Sequence, residues 1–163
     1  TADGAHCSRL LIHSPDSKRA IDEIVRVLRP GGVGVFEETD YGTSSLLTGD
    51  ARVASVFRAT QDATIGKLAN PHAARVAYAQ LLARSDVESV VLEPEAFCVL
   101  DMETLDPGLV YMQKQLDELV GAGSVTRADA DHYCECVRNA PRVGEPMMTG
   151  LMFKISFTKK AAS

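Results

Sequence analysis

The sequence is short of several features that would assign it quickly. No apolar run approaches the roughly 20 residues that span a bilayer, so no transmembrane helix is expected. Positive charge is in deficit: 17 Lys and Arg stand against 22 Asp and Glu, a formal net charge of −5. That balance argues against broad binding to nucleic acid or anionic membranes, because both need a positive surface. Cysteine is sparse, at positions 7, 98, 134 and 136. Cys134 and Cys136 are two apart in a helical pattern and so point to different faces. No Cys-x-x-Cys pair with further paired ligands follows, so we expect free thiols packed as small hydrophobes and no metal site. No secretory leader opens the chain, and a reduced, cytoplasmic setting is expected. The chain also lacks an initial Met. Thr1 runs almost directly into a strand-like segment, and we expect the sequence to be a piece of something longer.

What is present is ordinary for a folded protein. The 163 residues are 45% hydrophobic and 24% charged. This excludes disorder and low complexity and allows one domain, at most one and a half. Ala5 to Ile12 reads as a strand whose apolar end, Leu10-Leu11-Ile12, suggests burial on both faces. Ser14 or Asp16 then caps a helix with the stripe Ile21, Ile24, Val25 and Leu28, and Asp22 and Arg26 sit four apart on its wet face. Pro30 stops it, Gly31-Gly32 turns the chain, and Val33 to Phe36 forms a short strand. Gly34 inside that strand suggests that another backbone or a ligand comes close. Strand, helix and strand within about 35 residues make a βαβ unit with parallel strands.

Further on, 50–68 reads as a helix with Val53, Val56 and Phe57 on one side. Asn70-Pro71 opens another through Arg84, with the stripe Ala74, Ala77, Tyr78, Leu81 and Leu82. A strand-rich stretch from Val87 to Leu100 is interrupted near Pro94. Asp106-Pro107 opens a helix with Leu109, Met112, Leu116, Leu119 and Val120 inward. Thr126-x-x-Asp129 resembles a capping box and starts a helix to about Arg138. Residues 149–157 alternate as a long strand, and 160–163 look like a frayed tail.

Ser8 to Asp16, followed by Ala20 to Gly32, resembles the second half of class I S-adenosylmethionine-dependent methyltransferases. The pattern is nearest the small-molecule enzymes akin to ubiquinone and menaquinone C-methyltransferases. Arg26-Val27-Leu28-Arg29-Pro30-Gly31-Gly32 carries the likeness, at the family's turn into its fifth strand. Glu38 to Thr43 is similar to the acidic, aromatic and glycine-bearing segment after that strand. Asn70 to Val90 resembles the later helix and sixth strand, and Met147 to Lys159 the seventh strand. Two departures stand out. The family's glycine-rich cofactor loop is absent, as is the acidic residue that holds the ribose hydroxyls, and Ser85 replaces the usual glycine after the later helix.

The resemblance implies an α/β fold: the second half of a Rossmann-like methyltransferase sheet, strands four, five, seven and six, with helical substrate or lid insertions. Residues 1–163 would form a partial methyltransferase domain with insertions at 50–70 and 104–139, and without the cofactor-loop half. The exposed apolar edge at Ala5–Ile12 would then need cover from a missing N-terminal half, a second chain or a swapped protomer.

Ligands of open α/β sheets bind at the carboxyl ends of strands. One such end holds Cys7, Ser8, Arg9 and His13. The resemblance puts Cys7, Ser8 and Arg9 against S-adenosylmethionine. Arg9, a charge in an apolar segment, is expected to be buried and so to need a partner: it either pairs with a carboxylate or holds a cofactor carboxylate. His13 is a candidate general base or substrate contact, or a cap. The second end holds Glu37, Glu38, Asp40 and Tyr41. Unpaired, such a cluster raises at least one pKa, which suits a base or a cationic methyl donor; the alternative is a solvated loop with a glutamate paired to an Arg. Asp40 and Tyr41 join His13 as catalytic candidates. His72 and His132 read as surface residues on helices. The expected activity is methyl transfer to a small-molecule acceptor. The alternatives are a non-catalytic fragment or interaction module that does not bind the cofactor by itself, and another doubly wound, nucleotide-dependent enzyme.

Overall fold

The computed structural model describes residues 1–106 and 109–161. Pro107, expected to help open a helix, and residues 162–163 of the expected frayed tail lie outside them.

Strand β1 spans Ala2–Ser8 and stops four residues earlier than the apolar pattern suggests. The reason lies in the hydrogen bonds. Arg9 takes a left-handed backbone, φ 50°, and Leu11–His13 form a single 3₁₀ turn with Leu11 and Ile12 buried. The Leu10-Leu11-Ile12 triplet is core, as expected, but as a turn rather than a strand. Helix α1 is Ser17–Val27, and Asp16 is its cap, accepting the Arg19 N–H at 2.9 Å. Ile21, Val25 and Leu28 are buried and Ile24 half-buried. Asp22 does not pair with Arg26. It holds Lys18 and Arg84, while Arg26 takes Glu23.

Strand β2 is far longer than Val33–Phe36. It runs Leu28–Leu47, with Pro30 in its first residues and Gly31 at φ 76°. β1 pairs with it in parallel, Cys7 opposite Phe36 and Ser8 opposite Glu37. The expected βαβ unit is therefore present. A Cβ on Gly34 would sit 2.1 Å from the Phe157 ring, so the close approach expected there comes from an aromatic side chain. Phe157 in turn packs on Phe36 with ring centroids 5.3 Å apart.

With β3 at Val87–Val99 and β4 at Met147–Lys159, the sheet order is β1-β2-β4-β3. That is the order four, five, seven, six of the methyltransferase resemblance. β3 continues through Pro94 without a break. It is an edge strand, where a residue lacking an N–H is tolerated.

The chain divides into two compact units. The first holds Thr1–Gly42, Leu68–Ala96 and Leu151 onward. It contains β1, α1 and α3 (Ala73–Leu82), with a core built on Leu11, Ile21, Leu28, Phe36, Leu81 and Phe157. Leu82, expected inward, is 57% exposed because the helix ends there. Ser85 is not among the non-glycine residues with positive φ, so the absent glycine is not needed at this turn. The second unit holds Thr43–Lys67 and Phe97–Gly150, and contains α2 (Ala51–Lys67), α4 (Met102–Leu105), α5 (Val110–Gly121) and α6 (Arg127–Val143). Its core includes Val53, Phe57, Leu109, Leu116, Tyr133 and Val137. Thr126 caps α6 by accepting the Asp129 N–H at 3.1 Å, as its spacing predicts, and α6 continues five residues past Arg138. Among the described residues no helix is long and apolar enough to cross a membrane.

Candidate functional site

The site residues picked from sequence gather in the first unit, where β1 ends beside the middle of β2. β2 does not stop at Phe36, so Glu37 to Tyr41 is strand and obeys the strand's alternation. Phe36, Glu38 and Asp40 face inward and are fully buried. Glu37 faces the other way and pairs with exposed His6, Nε2 to Oε2 3.0 Å. The expected cluster of mutually repelling acids therefore does not form. Each carboxylate has its own surroundings.

Glu38 organises the end of β1. Its Oε1 accepts the N–H groups of Leu10 at 3.0 Å and Leu11 at 2.8 Å. The Arg9 N–H donates to the Glu37 carbonyl at 2.8 Å. Three successive amides are thus bound by β2, and this fixes the left-handed turn at Arg9. Oε2 of Glu38 is buried and has no hydrogen-bond partner among the described residues. Burial pushes the Glu38 carboxyl above its ordinary value, against the opposing pull of the backbone amides and His13. A raised carboxyl was expected here, but its cause is burial rather than neighbouring acids.

Asp40 is held tightly. Arg75 Nε donates to its Oδ2 at 2.5 Å, the Gly42 N–H donates to Oδ1 at 2.9 Å, and His72 Nδ1 lies 3.4 Å from Oδ1. Asp40 therefore anchors α3 through Arg75, and its oxygens are already engaged. Tyr41 is half-buried and packs at the margin of the first core.

The β1 end itself is open. Ser8, Arg9 and His13 are exposed and Cys7 is buried. The premise that Arg9 is a buried charge needing a partner is corrected: it is at the surface, and among the described residues it forms no ion pair. Burial, and then Glu38, push the Cys7 thiol up, which keeps it protonated. Ser8, Arg9 and His13 are thus exposed on and beside a turn whose backbone is fixed by β2. Sequence reasoning missed Arg75 and the structural role of Glu38. The signal available was the period-two continuation from Phe36 through Glu38 to Asp40.

Residues 1–36 match the family model described as "Methyltransferase domain". This bears out the class I methyltransferase resemblance over that segment, which is β1, α1 and the first part of β2. No curated protein matches the chain. Among solved structures, it is similar to a candidate methyltransferase of Bacillus halodurans C-125, at 14% identity and TM-score 0.47, covering 98% of this chain and 70% of that one. It is also similar to a candidate sarcosine dimethylglycine methyltransferase of Galdieria sulphuraria, at 17% identity and TM-score 0.39, covering 100% of this chain and 54% of that one. A third is Haemonchus contortus phosphoethanolamine N-methyltransferase 2 in complex with S-adenosyl-L-methionine, at 10% identity and TM-score 0.39, covering 98% of this chain and 33% of that one. The chain thus spans a third to about 70% of the length of these structures.

Proposed function

We propose that the chain is part of an S-adenosylmethionine-dependent methyltransferase acting on a small-molecule acceptor. The observation that carries the reading is the β1–α1–β2 unit. Residues 1–36 match the methyltransferase family model, and β1 delivers Ser8 and Arg9, exposed, to its carboxyl end. In open α/β sheets that end is where ligands bind.

The residues present suit one part of the cofactor. The Arg9 guanidinium and Ser8 hydroxyl are donors fitted to an amino-acid carboxylate, and Glu38 holds the turn that presents them. The glycine-rich loop and ribose-binding acid are not in residues 1–163. When bound, S-adenosylmethionine supplies a methyl on sulfonium, and transfer breaks the S–CH₃ bond and forms one to the acceptor atom. His13, exposed beside the turn, takes a proton from acceptors that carry one at attack. Asp40 positions α3 through Arg75 rather than acting as a base, and Tyr41 packs beside it. The helices of the second unit supply acceptor recognition in this reading. The free thiols fit a reduced, cytoplasmic setting. The outer edge of β1 is covered by a preceding half, a second chain or a swapped protomer. A stable monomer of these residues in sedimentation equilibrium overturns that last part.

A second reading is a methyltransferase-like interaction module that does not bind the cofactor by itself. Calorimetry with S-adenosylhomocysteine separates the two. Binding by this chain, weakened about tenfold by Arg9→Ala, a change of about 1.4 kcal/mol, supports the enzyme reading. No heat of binding at millimolar ligand supports the module.

A further inference from the structure

The second unit carries a group of side chains that the cofactor reading does not use. His132 and Cys136 are four residues apart on α6, on the same face. Asp50 stands at the start of α2. One donor atom from each lies within 4.8 Å of the others, and all three residues are half-buried. His132 Nε2 is 2.6 Å from Asp50 Oδ2 and 3.8 Å from Cys136 Sγ. The second oxygen of Asp50, Oδ1, accepts the N–H groups of Arg52 at 2.8 Å and Val53 at 3.1 Å. Those bonds fix the carboxylate and leave Oδ2 turned to the histidine. The three residues border a cavity of about 300 Å³, to which Thr48, Asn139 and Glu145 also contribute.

We propose that Asp50, His132 and Cys136 form a binding site for one divalent transition-metal ion of the zinc class. One nitrogen, one sulfur and one carboxylate oxygen is a donor set for zinc-like ions. Magnesium and calcium take oxygen donors throughout. The spacing agrees. In a tetrahedral site with metal–nitrogen and metal–sulfur bonds of about 2.0 and 2.3 Å, those two donors are about 3.6 Å apart. The imidazole and thiol already stand near that separation. The Asp50–His132 hydrogen bond opens by about 0.7 Å to admit the ion, reaching the roughly 3.3 Å between nitrogen and oxygen donors in such a site. The amide bonds to Asp50 Oδ1 act as the outer shell that aims the ligand. Three protein donors leave a fourth position facing the cavity, which a water fills. On binding, the Cys136 thiol releases its proton to solvent and bonds to the metal as thiolate, and the hydrogen that His132 Nε2 gives to Asp50 is exchanged through solvent for one on Nδ1, which frees the Nε2 lone pair for the ion. The ion then ties the start of α2 to α6 within the second unit. The site uses none of the residues proposed to hold S-adenosylmethionine and does not depend on that reading.

The test is a Co²⁺ titration of the reduced, untagged chain, read by absorption. The expected result is a near-ultraviolet thiolate-to-cobalt charge-transfer band that saturates at one ion per chain and is removed by excess Zn²⁺. Cys136→Ser abolishes the band, and Cys98→Ser, at an exposed thiol outside the site, leaves it unchanged. Asp50→Asn keeps an acceptor for the Arg52 and Val53 amides but removes the charge, and weakens Co²⁺ binding about tenfold. Mass spectrometry of alkylated wild-type protein covers the case in which Cys136→Ser does not fold: Zn²⁺ should slow alkylation of Cys136 and not of Cys98. Absence of the band in wild type, its survival in Cys136→Ser, unchanged affinity in Asp50→Asn, or equal alkylation of Cys136 with and without Zn²⁺ each overturns the proposal.

Discussion

In the first unit, two carboxylates, Glu38 and Asp40, are fully buried on one face of β2. In the second, the acids whose protonation the fold shifts are Asp50, Asp117, Glu118 and Asp129, pulled down chiefly by the His132 imidazole, the Arg127 guanidinium, the Lys67 ammonium and the Thr126 hydroxyl in turn. Glu38 is pushed the other way by burial. The contrast teaches what each region uses charge for. Exposed or partly exposed carboxylates cap and bridge helices in both units, as Asp16 and Asp22 do in the first and Asp50 and Glu118 in the second, whereas the fully buried carboxylates, Glu38 organising backbone among them, belong among the described residues to the first.

Both units also contain a strand glycine under a phenylalanine ring, and this pair gives the largest expected difference. A Cβ at Gly34 would meet the Phe157 ring at 2.1 Å, and one at Gly150 the Phe97 ring at 2.6 Å. Phe157 is 1% exposed and has nowhere to go, while Phe97 is half-buried and can swing outward. Gly34→Ala should destabilise by about 3 kcal/mol and Gly150→Ala by about 1 kcal/mol or less, measured by denaturant unfolding. Equal losses would break the comparison of a closed core with an open one.

Glu38→Ala comes next, with an expected loss of about 2 kcal/mol, because the Leu10 and Leu11 amides lose their acceptor. Glu38→Gln sharpens the point through pH. The Glu38 carboxyl is raised in the folded state, so below its unfolded value it is neutral folded and unfolded alike and carries no charge penalty. As pH climbs through the folded value, the buried group must ionise and stability is lost. Wild type should therefore lose ground to Glu38→Gln as pH rises above the ordinary glutamate range of about 4. The lowered acids of the second unit act in the opposite sense: their contribution is present above about pH 4 and fades as pH falls. Parallel pH curves for the two proteins would remove Glu38 as the special group. Thr126→Ala should match the small loss at Gly150, about 1 kcal/mol, through the lost cap of α6.

These contrasts also mark what the residues alone could reveal. The βαβ unit was legible because Ile21, Val25 and Leu28 keep a helical period that Pro30 cannot continue, although the helix already ends at Val27 and Pro30-Gly31 lies within β2. The sheet order followed from the likeness those residues carry. The end of β1 was not legible, because Leu10-Leu11-Ile12 is equally apolar as strand or as buried turn, and Glu38 decides between them from far along the chain. The length of β2 was hidden for a related reason: its inward positions after Phe36 are acidic, and an alternation of acids does not look like a core strand. Ser8 and Arg9 were placed correctly at a strand end, but the burial assumed for Arg9 was not. The Asp50–His132 pair joins residues 82 apart, which no spacing rule could connect.

The turn at Arg9 has a consequence for the order of assembly. Its restraining bonds reach from Leu10 and Leu11 to a side chain 28 and 27 residues downstream. A growing or refolding chain cannot close this corner from local information. β1 and β2 must first find their parallel register, and contacts of that sequence separation form slowly. The surface that would meet a ligand is thus absent from any collapsed state in which β1 and β2 have yet to pair.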